Sequence, residues 1–174
     1  MDPVKDLPTG TSEELIVFIE VPKGCPIKYE WDKKLGIMAV DRYIHSPITY
    51  PGDYGMVPQT HCDDGDPLDC VVIVSAPGYP GTVVKARAIG VLRMQDEKGG
   101  DDKLICVPVD DPRFEHVKDI DDISAHLQKE ISHFFEVYKA LEPNKWVKVK
   151  GLENAAKAKE VIKHSIDLYK RLEA

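Results

Sequence analysis

Residues 63–69, Asp-Asp-Gly-Asp-Pro-Leu-Asp, form a dense group of carboxylates directly before an apolar run. Carboxylate oxygens suit Mg²⁺, Mn²⁺ and Ca²⁺, and bound cations relieve the repulsion among clustered carboxylates. Gly65 and Pro67 disfavour a helix and favour a tight loop, so Asp64, Asp66 and Asp69 can converge. By itself such a segment is more often a solvated turn. Further polar groups along the chain favour the metal site.

A second acidic segment, residues 96–103, has the sequence Asp-Glu-Lys-Gly-Gly-Asp-Asp-Lys and lies between two predicted strands. Alone it is typical of a hairpin loop. Together with the first segment it can supply enough carboxylates for several metal ions, an arrangement that enzymes use around phosphoryl groups. Lys28 and Arg42 lie in predicted strands. Tyr50 and Tyr54 flank Pro-Gly-Asp and suit either loop packing or phosphate binding.

The elements that must position these side chains are mainly strands. Apolar or alternating runs predict strands at 15–21, 27–31, 37–42, 70–74, 83–92 and 103–107. We expect the first two to be neighbours, with Lys28 and Glu30 on one face of the second. Short strands separated by Gly/Pro turns indicate a barrel or a sandwich. Apolar spacings of three and four then predict a helix from Ser124 that ends before Pro143, and another over 158–172.

Composition limits the functional class. The 174 residues fit one compact domain, and a net charge of −7 disfavours a general nucleic-acid or acidic-membrane binder. The four cysteines lack zinc-site spacing, so we expect reduced thiols and a cytoplasmic location. The N-terminal residues lack a signal-like apolar segment, and no apolar run reaches membrane-spanning length.

Several motifs together resemble one family. Asp64-Gly65-Asp66-Pro67-Leu68-Asp69 resembles the signature of the soluble family I inorganic pyrophosphatases. Other matching segments occur in the family's order: Glu20, Lys28-Tyr29-Glu30, Asp41-Arg42, residues 50–55, Asp96-Glu97 with Asp101 and Lys103, and Tyr138-Lys139. The resemblance covers essentially the whole chain and is to the shorter bacterial form.

This resemblance implies a fold and an activity. The fold is α+β with a β-barrel core, a five-stranded OB-like barrel with helices packed outside, two of them long and in the C-terminal third. Residues 1–174 would form a single pyrophosphatase domain. The activity is Mg²⁺-dependent hydrolysis of pyrophosphate to two orthophosphates, by direct attack of a metal-bridging water that Asp66 deprotonates.

The resemblance also implies roles for individual residues. Metal ligands would be Asp64, Asp69, Asp96 and Asp101, with Glu20, Glu30, Glu97 and Tyr50 acting through metal-bound water or as support. Phosphate-binding positions would be Lys28, Arg42, Tyr54, Lys103, Tyr138 and Lys139. Several Mg²⁺ ions would bind per active site, Mn²⁺ or Zn²⁺ could substitute, and Ca²⁺ would inhibit.

Three other functions are compatible with parts of the pattern. An EF-hand fails, because placing Asp64 at loop position one puts Asp69 where glycine is needed. An OB-like barrel could bind single-stranded nucleic acid through Tyr29, Trp31, Tyr50 and Tyr54, although the acidic loops oppose this. A metal-dependent phosphoesterase acting on organic phosphates shares every polar feature and remains open.

Two histidines fall outside this pattern. His126, Glu130 and His133 share one face of the first predicted long helix and could bind a transition metal. An exposed or subunit-contact face is the simpler interpretation. Shorter bacterial family members form homohexamers, and the resemblance therefore assigns this face to subunit contact.

Overall fold

The computed structural model describes residues 1–173. Its strands are β1 (Leu15–Val21), β2 (Ile27–Asp32), β3 (Ile37–Tyr43), β4 (Asp53–Met56), β5 (Asp69–Val72), β6 (Val83–Asp96), β7 (Gly99–Gly100), β8 (Lys103–Pro108) and β9 (Val147–Asn154). Its α-helices are α1 (Pro3–Asp6), α2 (Ala125–Val137) and α3 (Ala155–Glu173), and 3₁₀ turns occur at Pro112–Phe114 and Ile120–Asp122.

Five strands close into a ring in the order β1, β4, β5, β8 and β6, with β6 pairing back to β1. The β5–β8 pair is parallel, and the other pairs of the ring are antiparallel. The long strand β6 also pairs with β7 and β9. The predicted α+β fold with an OB-like five-stranded barrel is therefore confirmed.

Buried side chains alternate along the barrel strands and form two main clusters. Cys70 and Val72 of β5 belong to the cluster that includes Ala158 of α3. Val71, between them, belongs to the cluster that includes Ile131 and aromatic residues of α2. Both long helices therefore pack against the barrel and bury their apolar faces there.

Strands β1 and β2 are neighbours in space, as predicted, since the Trp31 amide of β2 donates to the Glu20 carboxylate of β1, but the two strands do not pair. Both edges of β1 are taken by β4 and β6, so β2 pairs only with β3 in a separate two-stranded sheet. Strands β4, β7 and β9 were not predicted, and β6 extends beyond its predicted end to Asp96. Helix α2 begins after Ser124, whose hydroxyl accepts from the amide of Leu127.

Helix α2 ends at Val137, and tight turns continue to Glu142 through hydrogen bonds from Ala140 to Val137 and from Glu142 to Lys139. These turns place Tyr138 and Lys139 at the edge of the barrel. Within residues 1–173, no helix has both the length and the apolar character needed to cross a membrane.

Candidate active site

Lys103, at the first position of β8, links the two acidic segments. Its side chain is only 2% exposed, and Nζ lies 2.5 Å from Oδ2 of Asp69 and 2.8 Å from Oδ1 of Asp101. Nζ also donates to the hydroxyl of Tyr54 at 3.0 Å. The parallel register of β5 and β8 pairs Asp69 with Lys103 at the start of both strands. The sheet topology therefore brings together residues that are far apart in sequence.

The charged side chains of this group shift one another's pKa values. Burial alone would lower the pKa of Lys103, but Asp69, Tyr54 and Asp101 raise it well above its ordinary value. Burial raises the pKa of Asp101 to about 6, although Lys103 opposes that rise. Burial likewise raises the pKa of Tyr54, so its hydroxyl keeps its proton. One lysine only partly neutralises the two carboxylates that it contacts.

Lys139 and Asp96 form a second buried pair. Lys139 Nζ lies 2.9 Å from Oδ2 of Asp96 and 3.8 Å from Oε1 of Glu97. Burial tends to raise the pKa of Asp96, but hydrogen bonds from Lys139 and from the Lys98 amide lower it below its ordinary value. The lysine also lies 5.5 Å from the ring centroid of Tyr138. The pair therefore joins the end of β6 to the turn after α2.

The β2–β3 hairpin carries a third group of charges. Lys28 Nζ lies 3.2 Å from Oδ2 of Asp41 and 3.8 Å from Oε2 of Glu30. Arg42 Nε donates to the same Asp41 oxygen at 2.9 Å, and its Nη1 lies 3.3 Å from Oε1 of Glu142. Glu142 is buried and was not among the predicted site residues. It holds Arg42 from the turn that follows α2.

One cavity of about 120 Å³ brings residues of the Lys103 group and of the β2–β3 hairpin to a common opening. Its polar lining consists of Glu20, Lys28, Glu30, Lys33, Tyr54, Asp66 and Asp69. Glu20 Oε1 accepts from the backbone amide of Trp31 at 2.9 Å. Burial raises the pKa of Glu20 to about 8.

The first acidic loop is held by its own backbone. The Cys62 amide donates to the carbonyl of Asp66, and the Gly65 amide donates to the carbonyl of Cys62. Gly65 has a φ of 93°, which side-chain-bearing residues rarely adopt. Asp64 Oδ1 accepts from the Asp66 amide at 3.1 Å. Burial raises the pKa of Asp64, the hydrogen bond from the Asp66 amide opposes that rise, and the negative charges of Asp66 and Asp69 add to it.

The donor set fits a hard divalent metal, but the side chains are not arranged around a single metal position. Within residues 1–173, no three His, Cys, Asp or Glu side chains are placed to hold one ion. Oxygens of Asp69 and Asp101 bond to Lys103, and an oxygen of Asp96 bonds to Lys139. Burial and carboxylate repulsion raise the pKa values of Asp64 and Asp101, and cations would relieve that repulsion.

The remaining predicted residues fall in two places. Tyr50 is 1% exposed, its ring centroid lies 4.6 Å from that of Phe134, and its hydroxyl has no hydrogen-bond partner within residues 1–173. Burial raises its pKa. His126 and His133 are exposed on α2, with His126 Nε2 3.4 Å from Glu130 Oε1. Both histidines are absent from the linked groups described above.

Two other sets of polar contacts had no signal in the sequence. Asp41 and Glu142 hold Arg42, and Asp102 pairs with Arg93 beside Asp101. The motif order pointed to Asp41 only as the neighbour of Arg42. No signal in the sequence joined Arg42 to Glu142, because that contact spans 100 residues.

Closely spaced carboxylates and lysines suit an enzyme that acts on phosphate anions with metal ions. The family model described as inorganic pyrophosphatase matches residues 17–170. The chain is 51% identical over 160 residues to an inorganic pyrophosphatase of Helicobacter pylori, covering 91% of this chain and 92% of the relative. It is 47% identical over 168 residues to that of Gluconobacter oxydans, covering 95% of each.

Solved structures agree. An inorganic pyrophosphatase from Helicobacter pylori matches with a TM-score of 0.92 at 49% identity, covering 95% of this chain and 99% of the other. The enzyme from Thermus thermophilus matches with a TM-score of 0.93 at 46% identity, covering 97% and 99%. The chain therefore belongs to the inorganic pyrophosphatase family, as its motifs suggested. It is accordingly an enzyme, a hydrolase of the inorganic diphosphatase class.

Proposed function

We propose that the chain hydrolyses inorganic pyrophosphate to two orthophosphates in a Mg²⁺-dependent reaction with Asp66 as the general base. The observation that carries this proposal is the cavity shared by Asp66, Asp69, Lys28 and Tyr54. Carboxylates that suit metal ions and cations that suit phosphate oxygens face one opening.

We assign the metal positions to Asp64, Asp69, Asp96 and Asp101, with Glu20, Glu30 and Glu97 acting through coordinated water. Bound Mg²⁺ neutralises charge on pyrophosphate and lowers the pKa of coordinated water. Mn²⁺ or Zn²⁺ would substitute. Ca²⁺ would inhibit, because its larger and looser coordination shell disturbs the in-line geometry.

The chain's own residues provide the base and hold the substrate. Asp66 is exposed at the cavity and forms no ion pair within residues 1–173, so an oxygen is available to take a proton from the attacking water. Residues proposed to bind phosphate oxygens and stabilise the leaving phosphate are Lys28, Arg42, Lys103, Lys139, Tyr54 and Tyr138. Tyr50 supports Tyr54, whose ring centroid lies 5.1 Å away.

The test is phosphate release from pyrophosphate, compared with nucleoside di- and triphosphates and with phosphate monoesters, in Mg²⁺ and in chelator. We expect release from pyrophosphate alone and only with Mg²⁺. Faster release from a monoester would favour the organic-phosphate alternative. Nucleic-acid binding loses support because Tyr50 and Tyr54 are 1% and 4% exposed and cannot stack on bases.

We further propose a single-domain subunit in a cytoplasmic homohexamer. All four cysteines are free thiols, which suits a reducing compartment. Large apolar side chains are exposed on the surface, among them Tyr43 at 65% and Tyr79 at 76%, and His133 is exposed on α2. Subunit contacts would cover such side chains. Sedimentation at neutral and mildly acidic pH tests the assembly, and a monomer throughout would contradict it.

A further inference from the structure

A second cavity lies behind the acidic loops. It has a volume of about 320 Å³, and its lining includes Asp63, Leu68 and Asp102. Each of these residues is the immediate sequence neighbour of a proposed metal ligand. The proposed ligands therefore lie on the active-site side of the acidic loops, and their sequence neighbours lie on the side of this cavity.

Asp102 uses both carboxylate oxygens on this rear side. Its Oδ2 accepts from Nη1 of Arg93 at 2.7 Å, and its Oδ1 accepts from the Met94 amide at 3.3 Å. The amide of the preceding residue, Asp101, donates to the Met94 carbonyl at 2.9 Å. Residues 101–102 are therefore fastened to residues 93–94 by three hydrogen bonds, two of which need the Asp102 side chain.

Arg93, which lies on β6, also has a partner outside the loop. Its Nε lies 3.3 Å from Oε1 of Glu153 on β9. In the β6–β9 ladder, Arg93 pairs with Gly151. The guanidinium therefore connects the loop to two paired strands, and a planar guanidinium fixes the direction of its partners better than an ammonium would.

The tip of the hairpin has little other support. Gly99 and Gly100 are exposed, and a Cβ added at either would contact nothing within 4 Å. Strand β7 has only two residues. Asp96 and Asp101 stand on opposite sides of this tip, Asp96 held by Lys139 and Asp101 by Lys103. Both lysines are also proposed to contact substrate, so Asp102 is the side chain that constrains Asp101 without depending on active-site groups, in addition to the backbone bond from the Asp101 amide to Met94.

We propose that Asp102 and Arg93 are positioning residues that hold the Asp101 carboxylate in the orientation needed to bind a divalent metal. This inference rests on the proposed role of Asp101 as a metal ligand. Hydrogen-bonded partners behind a metal ligand commonly change metal affinity by about 10–100-fold when they are removed. The side chains of Arg93 and Asp102 are 29% and 27% exposed, so the pair should affect stability much less than it affects metal affinity.

The experiment measures Mg²⁺ binding by calorimetry and the Mg²⁺ dependence of pyrophosphate hydrolysis for Asp102→Ala, Arg93→Ala and the double variant. We expect each single variant to bind Mg²⁺ about tenfold more weakly, with kcat at saturating Mg²⁺ retained. The double variant should be no weaker than Asp102→Ala, because both changes remove one interaction. Asp102→Asn keeps an acceptor for the Met94 amide, so its Mg²⁺ affinity should fall less. It replaces Asp102→Ala in the experiment if Asp102→Ala does not fold.

Glu160→Ala is the matched control. Glu160 lines the same cavity and is exposed, but it pairs with Lys157 on its own helix. Asp101→Asn separates the two proposals. If it leaves Mg²⁺ affinity unchanged, Asp101 is not a ligand and its proposed role fails. If it weakens Mg²⁺ binding while Asp102→Ala matches Glu160→Ala, the positioning role is overturned. A lower kcat together with a lower thermal stability in Asp102→Ala, without a change in Mg²⁺ affinity, would also overturn the positioning role.

Discussion

Lys103 Nζ lies 2.8 Å from Oδ1 of Asp101 and 2.5 Å from Oδ2 of Asp69, which is on the neighbouring parallel strand, and so bridges the two carboxylates. The ammonium is thus an internal cation between two proposed metal ligands. Metal binding must compete with these two contacts, because both carboxylates give Lys103 an oxygen. We therefore expect Lys103 to stabilise the acidic cluster when no metal is bound.

Replacing Lys103 with methionine should therefore destabilise the metal-free protein. The change keeps an unbranched apolar chain, one atom shorter, but leaves Asp69 and Asp101 without their buried partner, a loss on the order of 3 kcal/mol. Mg²⁺ should restore part of that stability, since a ligand that binds only the folded state stabilises it by mass action. Thermal unfolding with and without Mg²⁺ measures both effects.

The matched control for Lys103→Met is Lys28→Met. Lys28 also lies between two carboxylates, but its side chain is 21% exposed. We expect a loss of at most about 1 kcal/mol for this more exposed cation. Equal losses in the two variants would show that burial of Lys103 does not stabilise the cluster.

Glu20 should make the stability of the metal-free protein depend on pH. Burial raises its pKa from 4.5 to about 8, so the folded protein holds this proton more tightly than the unfolded chain does. The stability that this tightly held proton adds is fully present below pH 4.5 and is lost progressively as the pH rises to about 8. Over that window we expect Glu20 to lower the free energy of unfolding by a few kcal/mol, roughly.

Urea unfolding of the wild type and of Glu20→Gln at several pH values isolates this contribution. The pKa of Asp101 is raised only to about 6. Between pH 6 and 8, Glu20 should therefore contribute more than Asp101 to the pH dependence of the free energy of unfolding. The variant should show a flatter dependence there. Parallel curves for the two proteins would mean that Glu20 is ionised in the folded state throughout.

The sequence predicted the strands that have a clear apolar pattern and missed those that do not. Strand β1 was predicted with its observed bounds, because its residues are nearly all apolar and buried. Strand β9 alternates half-buried and exposed residues and contains Gly151, so it lacks that signal. Strand β4 includes Gly55, where a Cβ would lie 2.0 Å from the Phe18 carbonyl oxygen. Close backbone approach, which is a tertiary constraint, selects glycine there.

In the candidate site, too, some residues were indicated by sequence motifs and others are indicated only by tertiary contacts. Motif order identified the groups around Lys103, Lys28 and Lys139, all of which the fold brings to one end of the barrel. It did not identify Glu142 or Asp102, whose importance depends on contacts to Arg42 and Arg93. An acidic residue in a turn is common, and only the folded backbone shows which ones meet an arginine.

The contact between Arg42 and Glu142 predicts a separable effect on substrate binding. Arg42→Ala should raise KM, lower kcat, or both, because it removes a charge proposed to hold a phosphate oxygen. Glu142→Gln should produce a smaller rise in KM, since it loosens Arg42 but leaves its charge. The double variant should resemble Arg42→Ala, because the two changes act through one guanidinium. Wild-type kinetics in Arg42→Ala would remove this residue from the proposed site.

Asp66 and Asp69 line the same cavity but have different surroundings, and this difference separates a base from a ligand. Asp69 bonds to Lys103, whereas Asp66 is exposed and its side chain forms no ion pair within residues 1–173. Asp66→Asn keeps the shape of the side chain but removes the proton acceptor. Mg²⁺ and pyrophosphate should still bind, and kcat should fall by about two to four orders of magnitude.

Asp69→Asn should instead weaken Mg²⁺ binding directly, and high Mg²⁺ should restore part of its rate, because a neutral amide is a poorer ligand than a carboxylate. Calorimetric Mg²⁺ titration and steady-state kinetics over a range of Mg²⁺ concentrations distinguish the two variants. If Asp66→Asn also loses Mg²⁺ affinity and recovers its rate at high Mg²⁺, then Asp66 is a metal ligand. The proton would then have to pass to another group at the cavity. Burial keeps Glu20 protonated up to about pH 8 without metal, so Glu20 would need a bound cation nearby before it could accept that proton.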